Sequence, residues 1–100
     1  MAENAEPPVP QFAMTLALPE FTRQLQPLLA GWVVAPLADG WHLQQAGRSV
    51  EVRCQPLPIL QMGALALPRL QVSIAFSGGS AGQHGDFMND FQRHFRRGGG

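Results

Sequence analysis

The chain has 100 residues, enough for one domain, and at 45% apolar and 14% charged it can bury a core and is too apolar to be disordered. Seven basic residues, all arginine, balance seven acidic ones, so no net field steers the chain to nucleic acid or to an anionic membrane. A single cysteine excludes an intrachain disulfide and fits a reducing compartment. No apolar run is long enough to span a bilayer, and residues 1–10 lack the basic start of a secretory signal. The expected location is a cytoplasm. The preference for arginine over lysine, with abundant Ala, Gly, Leu and Pro, suggests a GC-rich bacterial source.

Residues 1–11 are polar and proline-rich and read as a flexible leader to a single domain at 12–97. Phe12, Met14, Leu16 and Leu18 alternate with small or polar residues, which is the period of a first strand. Pro19 and Glu20 suit the start of a helix, one through its fixed φ and the other through its charge at the positive end. Phe21, Leu25, Leu28 and Leu29 form one apolar stripe, and Gly31 closes a helix of roughly two to three turns. Pro27 would clash with the carbonyl of Arg23. The helix therefore either kinks there or gives way to a second short turn.

Residues 32–38 are apolar, Asp39-Gly40 is a strong hairpin signal, and a second tight turn falls at Ala46-Gly47. A two-residue loop at that second turn sets Leu43 opposite Val50 and Trp41 opposite Val52. His42 then faces Glu51, and Gln44 faces Ser49, on the other side of the sheet. Apolar meets apolar and polar meets polar, whereas a slip of one residue mixes the two faces. The expectation is a meander of strands near 32–38, 41–46 and 48–54.

Residues 54–68 carry no charge, and their apolar side chains sit among Pro56, Pro58, Gly63 and Pro68. The plain expectation is an edge strand, or a crossing folded over the core, because proline cannot donate to a ladder. The alternative is that Leu57, Ile59, Leu60, Met62 and Leu65 form a patch left for a protein partner or a second copy of the chain.

Leu70, Val72, Ile74 and Phe76 alternate with Gln71, Ser73 and Ala75 as a half-buried strand, which Ser77-Gly78-Gly79-Ser80 breaks. His84, Met88, Phe91 and Phe95, with Phe87 alongside, then recur at helical spacing. This helix starts either at Ser80, where Gln83 would complete a capping box, or at Asp86 after a loop containing Gly82 and Gly85. Asp86 and Asp90 come early and Arg93, His94, Arg96 and Arg97 late, matching the helix dipole at both ends. Burying Phe91 and Phe95 is worth about 1.5–3 kcal/mol each. Residues 98–100, all glycine, end the helix as a flexible tail. The expected fold is α+β: an antiparallel meander sheet of four or five strands, with a short N-terminal helix and a longer C-terminal helix packed on one face.

No spacing of histidine, cysteine and carboxylate fits a metal site, and no cofactor fingerprint is present. Cys54 reads as a buried, inert thiol. His42 beside Glu51 could serve as an acid–base couple, but a cross-strand surface pair is the commoner meaning of such neighbours. Ser77-Gly78-Gly79-Ser80 ahead of a helix could meet an anion, yet it lacks the lysine and spacing of a phosphate loop and reads as a connecting turn. No catalytic residue is assigned, and the chain is not expected to be an enzyme.

Arg97-Gly98-Gly99-Gly100 resembles the Arg-Gly-Gly ending of ubiquitin-like proteins and bacterial sulfur carriers. That resemblance covers the last four residues and implies a terminal glycine activated as an acyl-adenylate. In those families the glycines follow a strand, while here they follow a helical pattern. Arg93, Arg96 and Arg97 are the candidate contacts to phosphate or nucleic acid, and capping the helix dipole accounts for the same residues. The leading expectation is a non-enzymatic protein-binding or accessory module, self-associating through an edge strand or through the apolar segment.

Overall fold

The computed structural model describes residues 9–99, with side chains as far as Phe95. In chain order the elements are β1 (Gln11–Met14), α1 (Leu18–Leu25), a 3-10 turn (Gln26–Leu29), β2 (Val33–Leu37), β3 (Gly40–Gln45), β4 (Arg48–Met62), β5 (Leu65–Gly78) and α2 (Ala81–Gly99). The strands make one antiparallel sheet in the order β1-β5-β4-β3-β2, so β2 to β5 form a meander and β1 is added at the far edge. Both helices cover one face of this sheet. The α+β architecture is the one the residue pattern implies.

The register of the β3–β4 hairpin follows from matching the faces. Trp41 pairs with Val52 and Leu43 with Val50, while His42 pairs with Glu51 and Gln44 with Ser49. Leu43, Val50, Val52, Leu70, Val72 and Ile74 are buried on the helix side. Against them lie Phe21 and Leu25 of α1 and Phe87, Phe91 and Phe95 of α2. Phe91 is fully buried, with its ring centroid 4.7 Å from that of Phe95 and 5.8 Å from that of Phe12. The two helices meet through Phe21 and Phe95, whose rings stack at 4.8 Å. His94 of α2 donates a ring N–H to the carbonyl of Gln24 on α1. The phenylalanine row is therefore core, as its helical spacing implies.

Local chemistry explains where the elements stop. The first strand ends at Met14, and Leu18 opens α1 instead of extending the strand. Pro27 ends the α-helix by turning its last residues into a 3-10 turn, so of the two expected solutions the second short turn is the one used. Ser80 starts α2 through a reciprocal capping box, its backbone N–H reaching Gln83 Oε1 at 2.9 Å and its hydroxyl oxygen accepting from the Gln83 N–H at 3.1 Å. Gly82 and Gly85 consequently lie inside the helix and not in a loop. The helix also takes in Gly98 and Gly99, which the sequence assigns to a tail, while Gly100 and residues 1–8 of the expected leader lie outside the described residues.

The Asp39-Gly40 signal marks a hairpin, but its loop is Ala38-Asp39, because Leu37 pairs with Gly40. Gly40 is glycine for a different reason. A Cβ there would sit 1.9 Å from the Val52 carbonyl oxygen, so only a residue without a side chain lets β3 approach β4 at that point.

Residues 54–68 are neither an edge strand of the main sheet nor a crossing over the core. They are the outer halves of β4 and β5, which keep pairing with each other through Met62 and Leu65 after their neighbours have ended. β3 stops alongside Arg53, and β1 stops alongside Leu70. At about 3.3 Å per residue, the part beyond Pro56 is a two-stranded arm roughly 20 Å long.

Candidate functional site: an uncharged two-stranded arm

Between Leu57 and Leu60 the arm carries a bulge, in which Pro58 and Ile59 on β4 oppose Pro68 on β5. The arm turns at Gly63-Ala64, where Gly63 has φ +61° and Ala64 has no positive φ. That combination fits a type II′ loop, whose first central residue is normally glycine. Beyond the bulge the pairs are Leu60 with Leu67, Gln61 with Ala66 and Met62 with Leu65. Directly opposed residues share a face. Leu57, Leu60, Met62, Leu65 and Leu67 therefore form one apolar face, with Arg69 at its base. Alternation along β5 puts this face on the same side as Gln71 and Ser73, which is the side of the sheet without helices. Pro56, Gln61, Ala66 and Pro68 lie on the reverse side of the arm.

All five residues expected to form a partner surface lie on this arm. Met62 is 57% exposed, Leu65 61% and Leu60 38%, and Leu57 is half-buried at the base. Ile59 is also exposed, at 62%, but its place in the bulge separates it from the other four. Leu67 belongs to the face and is missing from that expectation. A hairpin through Gly63 pairs Leu67 with Leu60, but an edge strand or a crossing gives no reason to join them.

The prolines fix how the arm can be approached. The Cys54 N–H points away from β5, towards the Asp39 carbonyl at 2.7 Å. Backbone groups of alternate residues point the same way, so Pro56, and Pro58 entering the bulge, occupy outward positions on β4. On the other side, the Ile74 N–H points towards β1, to the Pro10 carbonyl at 3.0 Å, which places Pro68 outward on β5. The same reasoning applies to the free edge of β2. The hairpin closes on Leu37 and Gly40, so Val33, Ala35 and Leu37 turn towards β3 and Pro36 turns outward. Each of these prolines stands where an extra strand would need a donor. The arm therefore offers side chains, not a backbone ladder.

Two recesses adjoin its base. On the helix side, Leu18, Pro36, Leu37, Trp41 and Pro56 line an apolar hollow of about 380 Å³. On the helix-free side, Gln11, Asp39, Arg53, Gln55, Gln71 and Ser73 line a polar hollow of about 220 Å³. Here a chain of charges crosses the sheet. Arg53 donates to Asp39 Oδ1 at 2.5 Å and to Glu51 Oε1 at 3.1 Å, and His42 Nδ1 lies 3.2 Å from Glu51 Oε2. The His42 contact, and then Arg53, hold the Glu51 carboxyl below its ordinary range. His42 and Glu51 are thus the cross-strand neighbours that the register implies, with Arg53 sharing the same carboxylate. Cys54 belongs to the opposite, buried side. Burial, with Asp39 adding to it, pushes its thiol up to about 11, which suppresses the reactive thiolate.

Arg93 is exposed and donates to Asp90 on its own helix at 3.0 Å, and the side chains of Arg96 and Arg97 lie outside the described residues. Of Ser77-Gly78-Gly79-Ser80, the first two still belong to β5 and pair with Ser49 and Arg48, so the connection to α2 is Gly79 and Ser80 alone; the Gly78 carbonyl meets His84 Nε2 at 2.7 Å and Ser80 serves the capping box. Among the described residues no cluster of histidine, cysteine and carboxylate could hold a metal ion, and no helix is long and apolar enough to cross a membrane. Arg48, which no sequence motif singles out, lies 4.8 Å above the Trp32 ring and donates to Gln45 Oε1 at 2.8 Å, a structural clamp between strand and turn. Compared with known proteins, the sequence matches no family model and no curated relative, so the arm has to be interpreted from its own geometry.

Proposed function

We propose that the chain is a non-enzymatic protein-binding module whose recognition surface is the apolar face of the arm. The observation that carries this reading is that Met62 and Leu65 are each more than half exposed on a segment without a single charge. Soluble domains seldom leave such side chains adjacent unless something covers them. The arm lies apart from the core, whose buried side chains are on the helix side of the sheet. The polar face beside it supports the reading too. Asp39, Glu51 and Arg53 are already paired with each other, so they frame the apolar surface without needing a ligand.

Phosphate binding by the terminal arginines is the weaker reading, since Arg93 is tied to Asp90. The test is affinity capture with the wild-type chain and with the double substitution Met62→Asp and Leu65→Asp. Polypeptides held by the wild type and lost from the variant are the expected result. Recovery of the same polypeptides by both would refute an arm-centred surface. The two positions are exposed, so a melting temperature matched to wild type verifies that the variant is folded.

A further inference from the structure

We infer that His94 is a latch between the helices: it caps α1 from outside, so that the last turn of α1 and the docking of α2 form or fail together. A helix leaves its final carbonyls without intrahelical partners, and those of α1 can be followed one by one. The Gln26 side-chain amide donates to the Thr22 carbonyl at 3.0 Å, and the Gln26 backbone N–H donates to the Arg23 carbonyl. The Gln24 carbonyl is the exception. Beyond Leu25 the chain tightens into the 3-10 turn Gln26–Leu29, where a carbonyl takes the N–H three residues ahead. Three residues ahead of Gln24 stands Pro27, which has no N–H to give. The missing donor arrives from the other helix, 70 residues along the chain, as the ring N–H of His94.

The surroundings hold the ring in that position. His94 is half-buried, its ring set at 87° to that of Phe95 with centroids 5.4 Å apart, and Phe95 stacks in turn on Phe21 of α1 at 4.8 Å. Neighbouring residues of α2 therefore grip α1 in two ways, one by packing and the other by a hydrogen bond. The acids one turn before Gln24 and His94, Glu20 and Asp90, are paired with Arg23 and Arg93, which leaves the ring to the carbonyl.

Lifting α2 from the sheet removes the donor from Gln24 and the Phe95 ring from Phe21 in one movement. The turn that leads through Pro27 and the buried Leu29 to β2 then loses its anchor. The end of α1 cannot stay formed while α2 is away, and the two helices open as one body.

A double-mutant cycle between His94 and Pro27 in the full chain tests this, read by urea unfolding and by amide hydrogen exchange. Pro27→Ala restores a donor three residues after Gln24 and makes the latch redundant. His94→Ala should lower the folding equilibrium constant about fivefold in the wild-type chain and less than about twofold in the Pro27→Ala background. His94→Leu keeps bulk beside Phe95 without a donor and should match His94→Ala, whereas His94→Gln keeps a donor and should recover part of the loss. In the wild type, the amides of Leu25 and Gln26 should be protected to the same extent as those of Phe91 and Phe95, and in His94→Ala they should fall behind them. Equal losses from His94→Ala in both backgrounds would overturn the latch, as would undiminished stability in His94→Leu, since the ring would then act by packing alone. Free exchange at Leu25 and Gln26 beside a protected α2 in the wild type would overturn it too, because α1 would then open by itself.

Discussion

Replacing Phe91 with alanine tests whether the terminal helix is what holds the sheet in place. The side chain is completely buried, and its ring lies among Phe12, Phe21 and Phe95 at centroid distances of 5.8, 6.3 and 4.7 Å. Removing it forfeits the transfer free energy of a phenyl group and leaves a cavity walled by three other rings, which relax only partly. Such truncations cost about 3–5 kcal/mol, and domains of this size have only about 5–15 kcal/mol to lose. Urea unfolding followed by the fluorescence of Trp32 and Trp41 is the assay, and the lack of tyrosine keeps that signal clean. With a slope of roughly 2 kcal/mol per molar urea, the midpoint should fall by about 2 M at unchanged slope. In a thermal melt the loss should appear as at least about 12 °C. Phe91→Leu, which refills much of the space, should cost clearly less. A loss under about 1 kcal/mol for the alanine variant would mean that α2 is not packed as described.

Four further outcomes follow from individual contacts. Gly40→Ala should destabilise by more than about 2 kcal/mol despite adding a single carbon, because its Cβ would meet the Val52 carbonyl oxygen at 1.9 Å and the backbone would have to move; calorimetry reads the difference. Ser80→Ala and Gln83→Ala should each cost about 0.5–2 kcal/mol, and the double variant should cost less than their sum because one capping box is lost once. Cys54 should resist a thiol reagent at pH 8 in the native protein and react promptly in denaturant, since its folded thiol titrates at about 11. The depressed Glu51 carboxyl contributes stability that is present above its unfolded value and is lost as pH falls through its lower folded value. Melting temperatures between about pH 5 and 2 should therefore converge for wild type and Glu51→Gln as the acid limit is approached, with wild type ahead at the upper end.

The β3–β4 hairpin was legible because its residues obey two patterns at once: Leu43, Val50 and Val52 alternate at period two, and the polar residues between them also match across the pair, so a single register survives. Leu70, Val72 and Ile74 marked a half-buried strand by the same alternation, but only the folded chain decides which strands flank it. The capping box was legible for a similar reason, since Ser80 and Gln83 have the required spacing, although only the folded chain decides it against a start at Asp86. Asp39-Gly40 misled by one residue. A glycine needed for a close approach to Val52 looks the same in sequence as one needed for a positive φ.

The arm was legible as composition but not as geometry. The absence of charge marks residues 54–68, and the five candidate side chains do lie there, yet Pro56, Pro58 and Pro68 disguise two paired strands as irregular chain. A proline is compatible with a ladder when its ring nitrogen points away from the neighbour. Which way it points depends on the register of residues many positions distant, so no local window contains that information. The bulge at Pro58 and Ile59 also shifts the alternation by one, which hides the pairing of Leu60 with Leu67 from any strict count of two.

Those outward ring nitrogens also matter for how the chain behaves when crowded. Stacking many copies into a fibre requires every rung to donate to the next, at a repeat of about 4.8 Å. Pro36 on one margin and Pro56, Pro58 and Pro68 on the projecting hairpin remove donors from that series, which opposes growth by strand addition. Exchanging these four for valine should keep the hydrophobic content, restore the missing donors and raise the tendency to fibre growth.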